Sequence, residues 1–232
     1  MTATTKALSK KALTKPKLLI TGPQGTQAWQ LMRCGKVTAS RIADVMSYKK
    51  NGEESNDRRQ YRMQIVTEML TGLPTDYGFE SFDMKWGKEQ EPFARLIYGD
   101  LAQSHVDQIA FAQHPQILHA GASPDGLIGK DGLLEIKCPR SFTHINYILD
   151  DVVPEDYKPQ MLWQMACTGR AWCDFMSYDP RMPENLRVFI KRFNRDNAVI
   201  ETITKEVNKF IDECRALVTT LEHYASALAA RS

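Results

Sequence analysis

Apolar residues recur along this 232-residue chain with two different periods, and the switch between them organises it. In residues 58–70, Tyr61, Ile65, Met69 and Leu70 fall on one face of a helix, and Thr71-Gly72 supplies a stop. Residues 84–98 carry Trp86, Phe93, Leu96 and Ile97 in the same way, with Gly99 expected to close the helix. Ahead of both, residues 28–33 read as a short amphipathic turn. Residues 41–46 read as a helix with hydroxyl caps before it, and 47–57 as a polar loop. Strand candidates follow at 106–112, 118–122, 127–128 and 133–138, the last ended by Pro139. Helical spacing returns at 159–169, strands at 174–178 and 186–193, and a long helix spans 200–229. This order predicts an α/β fold, a small central sheet flanked by helices.

Composition changes that picture little. Hydrophobic content of 43% and charged content of 25% suit a soluble globular protein large enough to bury its own core. No apolar run approaches a membrane span, and the first residues lack the apolar block of a secretory signal, so a cytoplasmic protein is expected. The five cysteines include no CxxC pair, which argues for free thiols rather than a disulfide framework or a zinc site. Net charge is only +2. It is unevenly spread, because Lys6, Lys10, Lys11, Lys15 and Lys17 meet no acid before residue 18. Residues 1–20 are therefore expected to be a basic, flexible arm, and 21–232 a single domain.

The chemistry concentrates in one hairpin. Asp125 stands in Ser123-Pro124-Asp125-Gly126, and ten residues later comes Glu135-Ile136-Lys137. Asp131-Gly132 is expected to supply the reversal between the two strands. Side chains alternate along a strand, so Glu135 and Lys137 share one face while Leu134 and Ile136 take the other. Two carboxylates with a neighbouring ammonium suit Mg²⁺, a hard ion that takes oxygen ligands and keeps several waters. Such a cation stabilises charge on a phosphate and acidifies a bound water, and Lys137 would orient that water or take its proton. Alone, the same string is also what a surface ion pair worth ~0–1 kcal/mol would look like.

Four further motifs accompany the hairpin in order. They are Trp29, Arg33, Gly35 and Thr38-Ala39-Ser40; Trp86-Gly87 with Glu91; Tyr157-Lys158-Pro159-Gln160; and Tyr178-Asp179-Pro180-Arg181-Met182. Together these resemble the lambda exonuclease family, the YqaJ-like viral recombinases of the PD-(D/E)XK nuclease superfamily. The resemblance runs from about residue 25 to residue 182. It implies a restriction-endonuclease-like core with a central mixed β-sheet flanked by helices. The implied activity is a Mg²⁺-dependent 5′→3′ exonuclease on double-stranded DNA, leaving 3′ overhangs for a single-strand annealing protein like lambda Beta. A homotrimeric ring around DNA, two metal ions per site (with Mn²⁺ as a substitute) and phage or prophage origin in a bacterial host come with it.

By the same resemblance Asp125, Glu135 and the Ile136 carbonyl are metal ligands, and Lys137, Glu91 and Gln160 serve the reaction beside them. Arg33 takes the 5′-terminal phosphate, for which a planar guanidinium is well shaped. Thr38, Ser40, Tyr157, Met84 and Ser123 are the remaining DNA-contact candidates. As bland readings, Thr38 and Ser40 are plain helix caps, Met84 and Trp86 core packing, and Ser123 a turn former. One departure stands at Gln108, where an acid is expected, and no role is assigned there. A structure-specific endonuclease shares the hairpin but usually not the Trp29–Ser40 segment. A non-catalytic DNA-end-binding protein would usually have lost an acid or the lysine, and this chain keeps all three.

Overall fold

The computed structural model describes residues 19–75 and 81–230. Most of the expected basic arm, residues 1–18, lies outside that range, while Leu19 and Ile20 belong to strand β1 (Leu19–Thr21). Helix α1 (Gln27–Arg33) is capped by the Thr26 hydroxyl, which accepts from the Trp29 amide. A two-residue strand β2 (Val37–Thr38), a 3-10 turn over Ala39–Arg41 and the short helix α2 (Ile42–Val45) follow. Helix α3 (Asn56–Thr71) starts on the Ser55 hydroxyl and stops at Gly72, whose left-handed backbone a glycine adopts without strain. Helix α4 (Phe82–Ala102) runs through Gly99 rather than ending there. Gln103, in the left-handed region, closes it.

The strand expected at 106–112 is two strands in different sheets. Strand β3 (Val106–Asp107) and strand β4 (Ile109–Gln113) are separated by the exposed Gln108. Strands β5 (Ala120–Ala122), β6 (Gly126–Ile128) and β7 (Gly132–Lys137) come next. Helix α5 (Ser141–Asp150) was not legible in the apolar spacing, because Phe142, Ile145 and Leu149 face outward while His144 is buried. Helix α6 (Lys158–Thr168), strands β8 (Trp172–Tyr178) and β9 (Val188–Asn194), and the 33-residue helix α7 (Asn197–Ala229) complete the chain.

The single sheet expected from sequence is two: a four-stranded sheet, β1-β4-β5-β2, and a five-stranded one, β3-β6-β7-β8-β9. The larger is mixed, with β7 antiparallel to β6 and parallel to β8, Glu135 standing opposite Phe175. Its two faces differ as the alternation along β7 predicts. Leu134 and Ile136 enter a small cluster with Ala94 and Tyr98 of α4, whereas Leu133 joins the main core with Met161 and Phe175. Helices therefore cover both faces, α4 on one and α6 on the other.

Three glycines fix the hairpin. The reversal is not at Asp131-Gly132 as the sequence suggested; it spans Gly129, Lys130 and Asp131, with Gly129 taking the left-handed conformation. Gly132 instead begins β7, where a Cβ would fall 2.2 Å from the Trp172 ring. Likewise a Cβ on Gly126 would meet Val106 at 2.2 Å, so glycine there lets β3 lie against β6 directly after Asp125.

Candidate active site

The hairpin brings Asp125 beside Glu135 by backbone pairing alone. The Asp125 amide donates to the Leu134 carbonyl at 3.2 Å, and the Ile136 amide donates to Asp125 Oδ2 at 2.6 Å. Glu135 is almost wholly buried, 1% exposed, and both its oxygens accept hydrogen bonds. Oε1 takes Lys137 Nζ at 2.5 Å and Gln160 Nε2 at 2.6 Å, and Oε2 takes Gln164 Nε2 at 2.6 Å. Lys137 Nζ also lies 5.0 Å from the centroid of the Tyr157 ring. From α4, Glu91 pairs with Arg95, whose Nε donates to the Asp125 carbonyl at 2.8 Å.

These groups line a pocket of about 200 Å³ that includes Glu91, Asp125, Glu135, Lys137, Gln160 and Arg33. Its charge is out of balance. Burial, with the Glu135 and Glu91 charges added, pushes the Asp125 carboxyl well above the usual carboxylate range. Glu91 rises too, first through burial and then through Glu135, although Arg95 opposes the rise. Burial and the same carboxylates push the adjacent Cys138 thiol up to about 12. Burial works against the Lys137 ammonium, but Glu135 and Asp125 outweigh it and hold its pKa above the ordinary value. With the two carboxylates carrying no cation, Lys137 is a protonated donor, not the low-pKa base that burial alone would make.

An excess of negative potential over two hard oxygen donors fits a divalent cation. Among the described residues, no three His, Cys, Asp or Glu side chains form a metal cage by themselves. Mg²⁺ is commonly held by one or two carboxylates and otherwise by water and substrate phosphate. Asp125 and Glu135 are the residues available to hold it, and Ile136 lines the same pocket.

Arg33 borders the acidic pocket and, together with Ser40, also borders a second chamber of about 460 Å³. Its guanidinium stacks 4.3 Å from the Trp29 ring centroid and donates to the Thr38 hydroxyl at 3.3 Å and, at 3.5 Å, to that of Ser123. No ion-pair partner for Arg33 occurs among the described residues. Burial lowers its pKa, against an opposing pull from Tyr61 and Glu68, which line the same chamber. Ser123 is fixed in turn, donating to the Ala110 carbonyl at 2.7 Å and accepting from Trp29 Nε1 at 3.0 Å. Thr38 is buried, and Ser40 is exposed at the chamber wall.

Two sequence candidates stand apart. Met84 is exposed on the first turn of α4 and lines neither cavity. Tyr157 is not on α6 but ends the 3-10 turn just before it, stacked on Phe175 and under Lys137. In that place its ring supports the lysine. Sequence reasoning missed Gln164 and Arg95. Both were marked by spacing, since each lies four residues beyond a candidate, Gln160 or Glu91, and therefore on the same helical face.

With this geometry in hand, the chain was compared with known proteins. The model of the YqaJ-like viral recombinase domain matches residues 28–171. An alkaline exonuclease from Laribacter hongkongensis, LHK-Exo, is 41% identical, with a TM-score of 0.80 over 88% of this chain and 100% of that one. Its complex with dAMP matches over the same shares with a TM-score of 0.81. A phage related exonuclease from Haemophilus somnus 129PT shares the fold at 14% identity, with a TM-score of 0.64 over 80% of this chain and 96% of that one. No curated protein is similar enough to count as a relative. Extent of match and identity together make this chain a member of the YqaJ-like viral recombinase domain family, with that family's nuclease core.

Proposed function

We propose that this protein is a divalent-cation-dependent exonuclease that digests one strand of linear double-stranded DNA from a 5′-phosphorylated end. It releases mononucleotides and leaves 3′ overhangs. The observation that carries this reading is Arg33, a cation with no ion-pair partner among the described residues, on the wall between an acidic pocket and a chamber. A terminal phosphate supplies the missing charge, and the guanidinium reads it with paired hydrogen bonds. Membership of the family and the likeness to an alkaline exonuclease, one form of which holds the mononucleotide dAMP, support the same conclusion.

A Mg²⁺ ion, or a pair of them, held by Asp125 and Glu135 with the Ile136 carbonyl would supply positive charge to the phosphate and a more acidic water. The chain does the rest. Arg33, with Thr38 and Ser40, fixes the strand end so that the first phosphodiester reaches the carboxylates. Lys137 donates to the attacking water or a phosphate oxygen, and Gln160 holds a neighbouring oxygen. Glu91, steadied by Arg95, adds a third acid at the pocket rim. Mn²⁺ as a substitute, a homotrimeric ring, a single-strand annealing partner and action in the cytoplasm of a bacterial host belong to the same proposal. No helix among the described residues is long and apolar enough to cross a membrane.

The test is a time course with Mg²⁺ on linear duplex and on covalently closed circular duplex. Nucleotide release from the linear form alone is expected, with the 3′-ended strand left intact. Cutting of the circle would point to an endonuclease, and binding without release to an end-binding protein.

A further inference from the structure

Gln164 presents a problem that the reaction outlined above does not solve. Its side chain is fully buried, at 0% exposed, and it lines neither cavity. A buried amide is unfavourable unless its hydrogen bonds are made. Here the amide nitrogen makes one short bond, to Glu135 Oε2 at 2.6 Å. Among the described residues the amide oxygen has only a distant thiol, Cys173 Sγ at 3.9 Å. One turn earlier on the same face of α6, Gln160 does line the pocket and grips the other oxygen, Oε1, which Lys137 also holds.

The two oxygens of Glu135 are therefore unequal. Oε2 faces a donor locked in the core, with no room to leave. Oε1 faces two donors on the pocket side, where side chains can turn toward water or substrate. We propose that Gln164 is a positioning residue that holds Oε2 inward, so that Glu135 offers a divalent cation Oε1 alone. Gln160 and Lys137 are then the exchangeable donors, which release Oε1 when the ion arrives and turn to the phosphate and its water. Without Gln164 the carboxylate can rotate, and a buried oxygen is left unpaired.

This inference rests on the reading of the pocket as a cation site, and the experiment separates the two. Mn²⁺ is soaked into crystals of the full chain, and its position is read from anomalous scattering. Mn²⁺ on Oε1 only, with Gln164 still on Oε2, is the expected result. Mn²⁺ gripping both oxygens overturns the role of Gln164 while keeping the cation site, and no ion at the pocket overturns both. In parallel, Mn²⁺ affinity of Gln164→Met is measured by calorimetry. A loss of about 10–100-fold is expected, as for other residues that orient a metal ligand, with the KM for DNA unchanged. A folded variant that binds Mn²⁺ as tightly as the parent also overturns the assignment. Should Gln164→Met fail to fold, the Mn²⁺ position in the parent protein still decides.

Discussion

The backbone amide of Ile136 donates to Oδ2 of Asp125 at 2.6 Å, across the hairpin and beside the buried Glu135. One oxygen of Asp125 is thereby fixed by the strand itself, while Lys137, which eases its charge, is already engaged by Glu135. The same bond that orients the acid leaves it crowded by Glu135 and Glu91.

Asp125→Asn keeps an acceptor for the Ile136 amide and removes the charge. Because the folded-state pKa of Asp125 lies above its unfolded value, ionisation opposes folding above the usual carboxylate range. That penalty disappears as pH falls. We expect the variant to be more stable than the parent by about 1 kcal/mol at neutral pH without divalent ions. It should lose the thermal shift that Mg²⁺ gives the parent, and at least about 100-fold in nucleotide release. Melting curves with and without Mg²⁺ check this. A lower melting temperature than the parent without Mg²⁺ would refute the charge argument.

Lys137→Ala removes one of the two donors to Glu135 Oε1 and leaves the Arg33 chamber untouched. Cutting should fall by about 100–1,000-fold, while binding to a duplex end stays within a few-fold of the parent. Rates equal to the parent's would remove the lysine from the reaction. The pair of measurements is turnover by gel and end binding by fluorescence anisotropy.

Arg33→Ala should discriminate between substrates. On 5′-phosphorylated ends kcat/KM is expected to drop by about 10–100-fold, and on 5′-hydroxyl ends much less, because a charge-assisted contact of about 1.5–3 kcal/mol is lost only where the phosphate exists. Equal losses on both substrates would mean that the arginine supports the packing of Trp29 and Ser123 and reads nothing.

His114 sets a pH limit on stability away from the active site. Burial lowers its pKa to about 4; its ring stacks on Trp163 and its Nδ1 accepts from the Gln116 and Ile117 amides. A histidine kept neutral in the fold stabilises above its unfolded value, near 6.5, and that stability drains away as pH falls toward 4. Between pH 7 and pH 5 the parent should lose about 2 kcal/mol from this group. In urea titrations, His114→Gln should show a smaller loss over the same interval. An identical pH dependence in both proteins would sink the assignment.

Much of this protein was readable from local pattern. The helices α3, α4, α6 and α7 follow from spacing and caps, and the shared face of Glu135 and Lys137 from strand alternation alone. Where the reading slipped, tertiary contact overrode local preference. Gly132 looked like a turn residue, yet it is a strand residue because Trp172 leaves no space for a side chain. Helix α5 stayed hidden because Phe142, Ile145 and Leu149 face outward and a histidine, bonded to Ser177 and the Leu186 carbonyl, faces in.

The chain by itself determined which chemistry is present: the two acids, the lysine and the arginine, and the hairpin that must bring the first three together. Spacing of two and turns of a few residues act over short distances, so they survive in one dimension. Only the folded structure decided who serves whom. It put Gln160 and Gln164 on opposite oxygens of Glu135, 25 and 29 residues away, and drew Arg95 to the Asp125 carbonyl from 30 residues off. Such partnerships depend on how α4 and α6 pack on the two faces of one sheet, and no local pattern encodes that packing.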